Sequence, residues 1–185
     1  MAKVYIFLAD GFEEIEALAV VDLLRRARIE IDMVSVTGKL QVMGSHKIAV
    51  MADILFEDAK FDDADMLVLP GGMPGTNHLM EHTGLDKLLR KFHSENKYIA
   101  AICAAPTVLA SKGILDGKNA ACYPGCESEM TGSNVICQDV VEDGNIITSR
   151  GLGTAVDFAL AIIKILTDEN TAKDIADRVV YRHYK

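Results

Sequence analysis

Tyr98-Ile99-Ala100-Ala101-Ile102-Cys103-Ala104-Ala105-Pro106-Thr107 is a short apolar run that breaks into a helix start. Its first five residues predict a buried strand. Pro106 suits the first turn of a following helix, where its missing N–H would have no partner anyway. The small Ala104 and Ala105 let strand and helix pack closely.

The same strand-then-helix grammar extends outward in both directions. Lys3–Ala9 predicts an apolar strand, Glu13–Arg28 a helix and Ile31–Val36 a strand. A weaker pair, Leu40–Met43 and Lys47–Met51, reads as an antiparallel hairpin. Asp65–Leu69 is a fully apolar strand and Thr83–Asn96 a helix. Downstream of the opening stretch, Pro106–Lys112 is helical with Gly113 as its C-cap. Asn119–Cys122 is a short strand. Val135–Glu142 and Asn145–Thr148 flank Asp143-Gly144, a two-residue hairpin signal. Thr154–Leu166 and Glu169–Val179 complete the chain as helices. Short apolar strands alternating with helices imply one α/β domain over residues 1–185, with a mostly parallel sheet covered on both faces.

Length and composition agree. A chain of 185 residues supports one full core, and 50% hydrophobic with 25% charged residues is ordinary globular usage. The formal net charge of −8 argues against a nucleic-acid surface, which needs a basic patch. No stretch approaches the roughly 18 apolar residues of a membrane span. The start of the chain, Met1 to Ala9, reads as a first strand ending at Asp10 rather than a signal peptide. Cys103, Cys122, Cys126 and Cys137 form no CxxC pair, so reduced thiols in the cytoplasm are expected. No metal-ligand spacing occurs, and neither a metal nor a cofactor is expected.

Parallel sheets place their sites at the carboxyl ends of the strands. Three loops meet there, after Ala9, Leu69 and Ile102. Cys103 heads the third. At a helix start, free N–H groups and the positive dipole end favour thiolate over thiol, so a lowered pKa is expected. The arrangement is a nucleophile elbow with cysteine for serine, lacking the usual flanking glycines. A buried, inert cysteine is the commoner fate of this residue type; the junction favours a reactive one.

The first loop opens a helix carrying Glu13, Glu14 and Glu16. Acids in a first turn suit the helix dipole, and solvated stabilisation is the plain reading of Glu13 and Glu14. Glu16 differs. At about 100° per residue it shares a stripe with Val20, Leu23 and Ala27, opposite Asp22, Arg25, Arg26 and Arg28. A carboxyl on that apolar stripe should have a raised pKa, and when protonated it can donate to a thiolate and act as general acid and base. Ile15, Leu18, Ala19 and Val21 lie outside the stripe. A second apolar side points to a partner, most simply a symmetric homodimer through the 13–28 helix.

The second loop is Leu69-Pro70-Gly71-Gly72-Met73-Pro74-Gly75-Thr76. It fits neither the phosphate-loop motif nor the dinucleotide fingerprint. An oxyanion hole from the N–H groups of Gly72 and Ala104 fits better. Gly71, Met73, Tyr123 and Arg150 are candidate pocket residues, with Arg150 placed to hold an anionic group or to organise its loop. Cys122 and Cys126 read as ordinary packed or surface thiols.

Ala9-Asp10-Gly11-Phe12-Glu13-Glu14-Ile15-Glu16, Val68-Leu69-Pro70-Gly71-Gly72, Ala100-Ala101-Ile102-Cys103-Ala104-Ala105-Pro106 and Thr148-Ser149-Arg150-Gly151-Leu152-Gly153-Thr154 together resemble the ThiJ/PfpI superfamily, specifically its parkinsonism-associated deglycase branch. The likeness runs through nearly the whole chain. It implies a flavodoxin-like domain, a homodimer, and a reactive Cys103 hydrogen-bonded to a protonated Glu16. It implies cofactor-independent detoxification of small dicarbonyls such as methylglyoxal to lactate, a glyoxalase or deglycase activity of lyase or hydrolase type. Two alternatives accompany it: a redox-sensing, chaperone-like stress protein with an oxidisable Cys103, and a cysteine amidase or protease. The protease branch has histidine directly after its cysteine, where this chain has Ala104. Many deglycase relatives carry histidine at the position of Tyr123, which cannot titrate near neutrality. Arg28 stands where relatives often have a helix-ending glycine.

Overall fold

The computed structural model describes residues 2–183; Met1, Tyr184 and Lys185 of the expected domain lie outside the described residues. The strands are β1 Lys3–Leu8, β2 Glu30–Ser35, β3 Gln41–Met43, β4 Ala49–Met51, β5 Ile54–Leu55, β6 Met66–Leu69, β7 Tyr98–Ile102, β8 Asn119–Ala120, β9 Asn134–Val135, β10 Val140–Asp143 and β11 Ile146–Ser149. The helices are α1 Glu14–Arg26, α2 Gly75–Glu81, α3 Thr83–Ser94, α4 Pro106–Ala110, α5 Ala155–Leu166 and α6 Glu169–Arg178.

The main sheet runs β10-β11-β7-β6-β1-β2-β5, and every pairing in it is parallel except β10 with β11. Strand alternation explains why β6, β7 and, after Lys3, β1 carry apolar side chains on both faces. Val4, Ile6 and Leu8, Met66 and Val68, and Ala100 and Ile102 point into one core with α1, α5 and α6. Tyr5 and Phe7, Leu67 and Leu69, and Ile99 and Ala101 point into the other with α2, α3 and α4. A strand buried on both faces has no polar side to display.

Several boundaries differ from the sequence reading. The segment Asn119–Cys122 yields only the two-residue β8, which pairs with β9 outside the main sheet. The hairpin loop is Gly144-Asn145, because Asp143 pairs with Ile146; Gly144 supplies the positive φ of +64°. α2 and β5 carry no strong periodic signal and emerge only from packing. Arg28 does adopt the left-handed conformation, φ +60°, that a glycine would take more easily.

The β3–β4 hairpin folds back over the loop after β1. Gly11 N–H donates to the Met43 carbonyl at 2.7 Å, Ser45 N–H to the Phe12 carbonyl at 2.8 Å and Met43 N–H to Asp10 Oδ1 at 2.9 Å. Both sides of the start of α1 are thereby enclosed, one by the sheet and the other by the hairpin.

Candidate functional site

Cys103 lies one residue past β7, at φ +66°. A non-glycine residue there is strained by an amount on the order of 1–2 kcal/mol and persists only when its surroundings hold it. They do. Its N–H donates to the Ser149 carbonyl at 3.0 Å, and its carbonyl accepts from Tyr123 N–H at 2.8 Å. The side chain packs against the α1 core and remains partly exposed.

The glycine loop is lashed to α1. Glu13 N–H donates to the Gly71 carbonyl at 2.8 Å, and Gly71 N–H donates to Glu16 Oε2 at 2.9 Å. Glu13 Oε2 in turn accepts from Glu16 N–H at 2.7 Å, capping the helix. The role of Gly71 follows from the space it leaves. A Cβ there would lie 2.6 Å from Cys103 Cβ, 2.7 Å from Glu16 Oε2 and 3.1 Å from Cys103 Sγ. Thiol and carboxyl therefore meet over the bare face of this glycine, and any side chain would stand between them.

Glu16 is 1% exposed, as its place on the apolar stripe requires. Burial pushes its pKa up to about 7, against hydrogen bonds from Cys103 and from the N–H groups of Gly71 and Leu152; the nearby Glu13 charge adds to the rise. The expected lowering of the Cys103 pKa is corrected. Burial, and then the facing Glu16 carboxylate, push the thiol up, while the N–H groups of Ala104 and Gly72 pull it down. α4 is five residues long, too short a dipole to overcome both. One proton is held between two groups, each of which resists ionising while the other is charged.

The N–H groups of Gly72 and Ala104 both act on the Cys103 sulfur. Tyr123 is 52% exposed, and its ring lies 3.3 Å from where a Gly151 Cβ would sit, beside Glu16. Met73 is 54% exposed on the glycine loop. Arg150 is half-buried and acts electrostatically on Cys122, which is itself buried beside Cys126. The geometry brings Cys103, Glu16, Gly71, Gly72 and Ala104 together and sets Tyr123 at the margin; no contact of Met73 or Arg150 with the thiol is seen.

Two first-turn acids depart from the solvated reading. Glu13 is 8% and Glu14 2% exposed. Glu14 Oε1 accepts from His46 N–H at 2.7 Å, and Oε2 faces His46 Nδ1 at 2.9 Å and Ser45 Oγ at 3.3 Å. Burial alone would raise the Glu14 pKa, but these hydrogen bonds hold it below the usual carboxylate range. Val21, expected on the second apolar side of the helix, is 5% exposed and belongs to the core, whereas Ile15 is 50% exposed. Leu152 N–H was not foreseen, since nothing in Gly151-Leu152-Gly153 signals a carboxylate 136 residues upstream. The imidazoles of His46, His78 and His82 face Glu14, the Asp10 carbonyl and Leu85 N–H, none of them Cys103. Among the described residues no helix is long and apolar enough to cross a membrane.

The model of the DJ-1/PfpI family matches residues 2–165. Protein dj-1beta of Drosophila melanogaster is 39% identical over 173 residues, which are 92% of each chain. Protein DJ-1 homolog B of Arabidopsis thaliana is 39% identical over 163 residues; the match takes in 88% of this chain and 37% of that longer protein. The solved structure of oxidized Toxoplasma gondii DJ-1 superposes with a TM-score of 0.95 at 34% identity, over 99% of this chain and 100% of that one.

Proposed function

The chain belongs to the DJ-1/PfpI family, and from that premise we propose that it converts small dicarbonyls to hydroxy acids with its own side chains, methylglyoxal to lactate being the simplest case. The observation that carries this reading is the meeting of Cys103 Sγ and the Glu16 carboxyl over Gly71. A carboxyl with a pKa of about 7 is matched to moving protons near neutrality.

Glu16 carboxylate takes the thiol proton as sulfur adds to the aldehyde carbon. The bond formed is C–S, and the carbonyl pair becomes an oxyanion met by the N–H groups of Gly72 and Ala104. Protonated Glu16 returns that proton to the oxyanion; its carboxylate then takes the former aldehyde hydrogen as a proton and delivers it to the neighbouring carbon through an enediol, while the hydroxyl proton passes to the former ketone oxygen. The first carbon is left as a thioester and the second as an alcohol. Water cleaves the C–S bond, restores the thiol and releases the hydroxy acid. The sum is dicarbonyl plus water to hydroxy acid, with no outside oxidant or reductant.

Tyr123, Met73 and Arg150 are proposed as the pocket margin, Arg150 supplying a cation for the carboxylate product. The half-exposed Ile15, with Leu18 and Ala19 beside it, supports a homodimer through α1. Purified protein incubated with methylglyoxal and no glutathione should form lactate, and Cys103→Ala should form none. Equal lactate from Cys103→Ala would remove the mechanism.

The partly exposed sulfur beside a carboxyl also supports a second reading, a peroxide sensor whose Cys103 is oxidised to sulfinate and hydrogen-bonded by Glu16. Intact mass after mild peroxide separates the two. A gain of two oxygens on Cys103 without dicarbonyl turnover would select the sensor. The amidase or protease reading has no support in the imidazole positions.

A further inference from the structure

At the margin of the site we propose a peroxide-sensitive dithiol, Cys122 and Cys126, that closes reversibly into an intramolecular disulfide. The two residues flank Tyr123-Pro124-Gly125. Cys126 N–H donates to the Tyr123 carbonyl at 3.0 Å, and Gly125 has φ +100°. Proline second and a positive-φ glycine third is the pattern of a type II turn, which holds its first and fourth Cα atoms within about 7 Å. The turn carries Cys126 back towards the chain that bears Cys122, and a disulfide spans about 4.4–6.8 Å between Cα atoms.

The packing agrees. Cys122 is buried in the core on the α2–α4 face, and the half-buried Cys126 packs against that same core. Cys126 also acts electrostatically on Cys122. The backbone on either side of Cys122 is anchored: Ala121 N–H donates to Thr148 Oγ1 at 2.8 Å and Tyr123 N–H to the Cys103 carbonyl at 2.8 Å. Beyond the turn, Gly125 N–H donates to Glu127 Oε2 at 2.7 Å and Glu129 N–H to the Cys126 carbonyl at 2.9 Å. Two thiols on a braced turn have little conformational freedom left to lose on closure.

The surroundings select the oxidant. Burial pushes the Cys122 thiol up to about 11; Glu127 adds to the rise and Arg150 opposes it. Burial, then Glu129 and Glu127, also raise Cys126. Thiols kept protonated beside carboxylates disfavour anionic reagents and leave a small neutral one, hydrogen peroxide, as the co-reactant. The more exposed Cys126 reacts first: its sulfur gains one peroxide oxygen as sulfenic acid, and the other oxygen leaves as water. Cys122 sulfur, with Arg150 favouring its thiolate, then displaces hydroxide from Cys126. The S–O bond breaks, the S–S bond forms, and the Cys122 proton leaves with the hydroxide as water. Two thiols and one peroxide give one disulfide and two waters, and an added dithiol reverses the change. No step passes through Cys103.

The test is peptide mass mapping of the full chain after graded hydrogen peroxide, a catalase quench and unfolding in excess N-ethylmaleimide. Cleavage after lysine and glutamate isolates residues 119–127, with Cys122 and Cys126, from the peptides that hold Cys103 and Cys137. The expected product is peptide 119–127 lighter by two hydrogens and unalkylated, taking two alkyl groups only after reduction. Its yield should be unchanged in Cys103→Ala. Cys126→Ser should leave Cys122 alkylatable at the same dose, and Cys122→Ser should let Cys126 run on to sulfinate roughly tenfold more than in wild type. Two alkylated cysteines in peptide 119–127 at a dose that oxidises Cys103 would overturn the pair. So would wild-type Cys126 sulfinate at the level of Cys122→Ser, or a disulfide lost with Cys103→Ala. None of these outcomes depends on dicarbonyl turnover.

Discussion

Glu14 and Glu16 stand two residues apart on the same helix, both almost wholly buried, and their acidities move in opposite directions. The difference lies in what each side of the first turn faces. Glu14 looks at the hairpin, where a backbone N–H, an imidazole and a hydroxyl all serve the ionised form. Glu16 looks at the sheet, where a thiol and the backbone N–H groups of Gly71 and Leu152 are its hydrogen-bonding partners. Burial acts on both, but it outweighs the hydrogen bonds at Glu16 and is outweighed by them at Glu14.

The contrast can be broken most severely at Gly71. Gly71→Ala puts a methyl group between Cys103 and Glu16, and turnover of methylglyoxal should fall by roughly a hundredfold or more while the circular dichroism spectrum is kept. Steady-state lactate formation reads this directly. Undiminished turnover would mean that thiol and carboxyl do not act together.

Glu16→Gln sharpens the comparison through stability. A carboxyl whose pKa rises from 4.5 unfolded to about 7 folded stabilises the fold fully below pH 4.5, and that contribution is lost as pH rises to 7. The shift corresponds to something on the order of 3 kcal/mol. Urea unfolding at pH 8 should therefore show Glu16→Gln more stable than wild type by about that amount, with little difference at pH 4.

Glu14→Gln should behave oppositely. A depressed pKa contributes stability above the unfolded value, lost as pH falls through the folded one. Losing charge-assisted hydrogen bonds should destabilise the protein by about 1–3 kcal/mol at pH 7, and the deficit should shrink in acid. The same urea titrations measure it, and parallel pH profiles for the two variants would erase the distinction between the two sides.

Ile15→Asp is the mildest change. It should leave monomer unfolding within about 0.5 kcal/mol, since the side chain is half exposed, yet convert a dimer to monomer in sedimentation experiments. A persistent dimer would place the interface elsewhere.

Much of this site was legible in the residues. Cys103 announced itself at a strand–helix junction, and Glu16 by a carboxyl on an apolar stripe. Gly71 and Gly72 stood out as bare backbone after a buried strand. The pairing of Glu14 with His46 was not legible, because the hairpin that brings them together carries no signal of where it folds. The same holds for Leu152 N–H on Glu16, contributed from across the sheet. The direction of the Cys103 pKa was misjudged for a related reason: a helix start is a local feature, whereas burial and a facing carboxylate are not.

Alternating runs of apolar strands and amphipathic helices, local and periodic, were enough to specify a parallel sheet with two covered faces and to bring three loops to one edge. What each ionisable group does there was settled only in three dimensions. Charge is governed by solvent exclusion and by neighbours many residues away, and one turn of α1 presents the same residue type to two different surroundings.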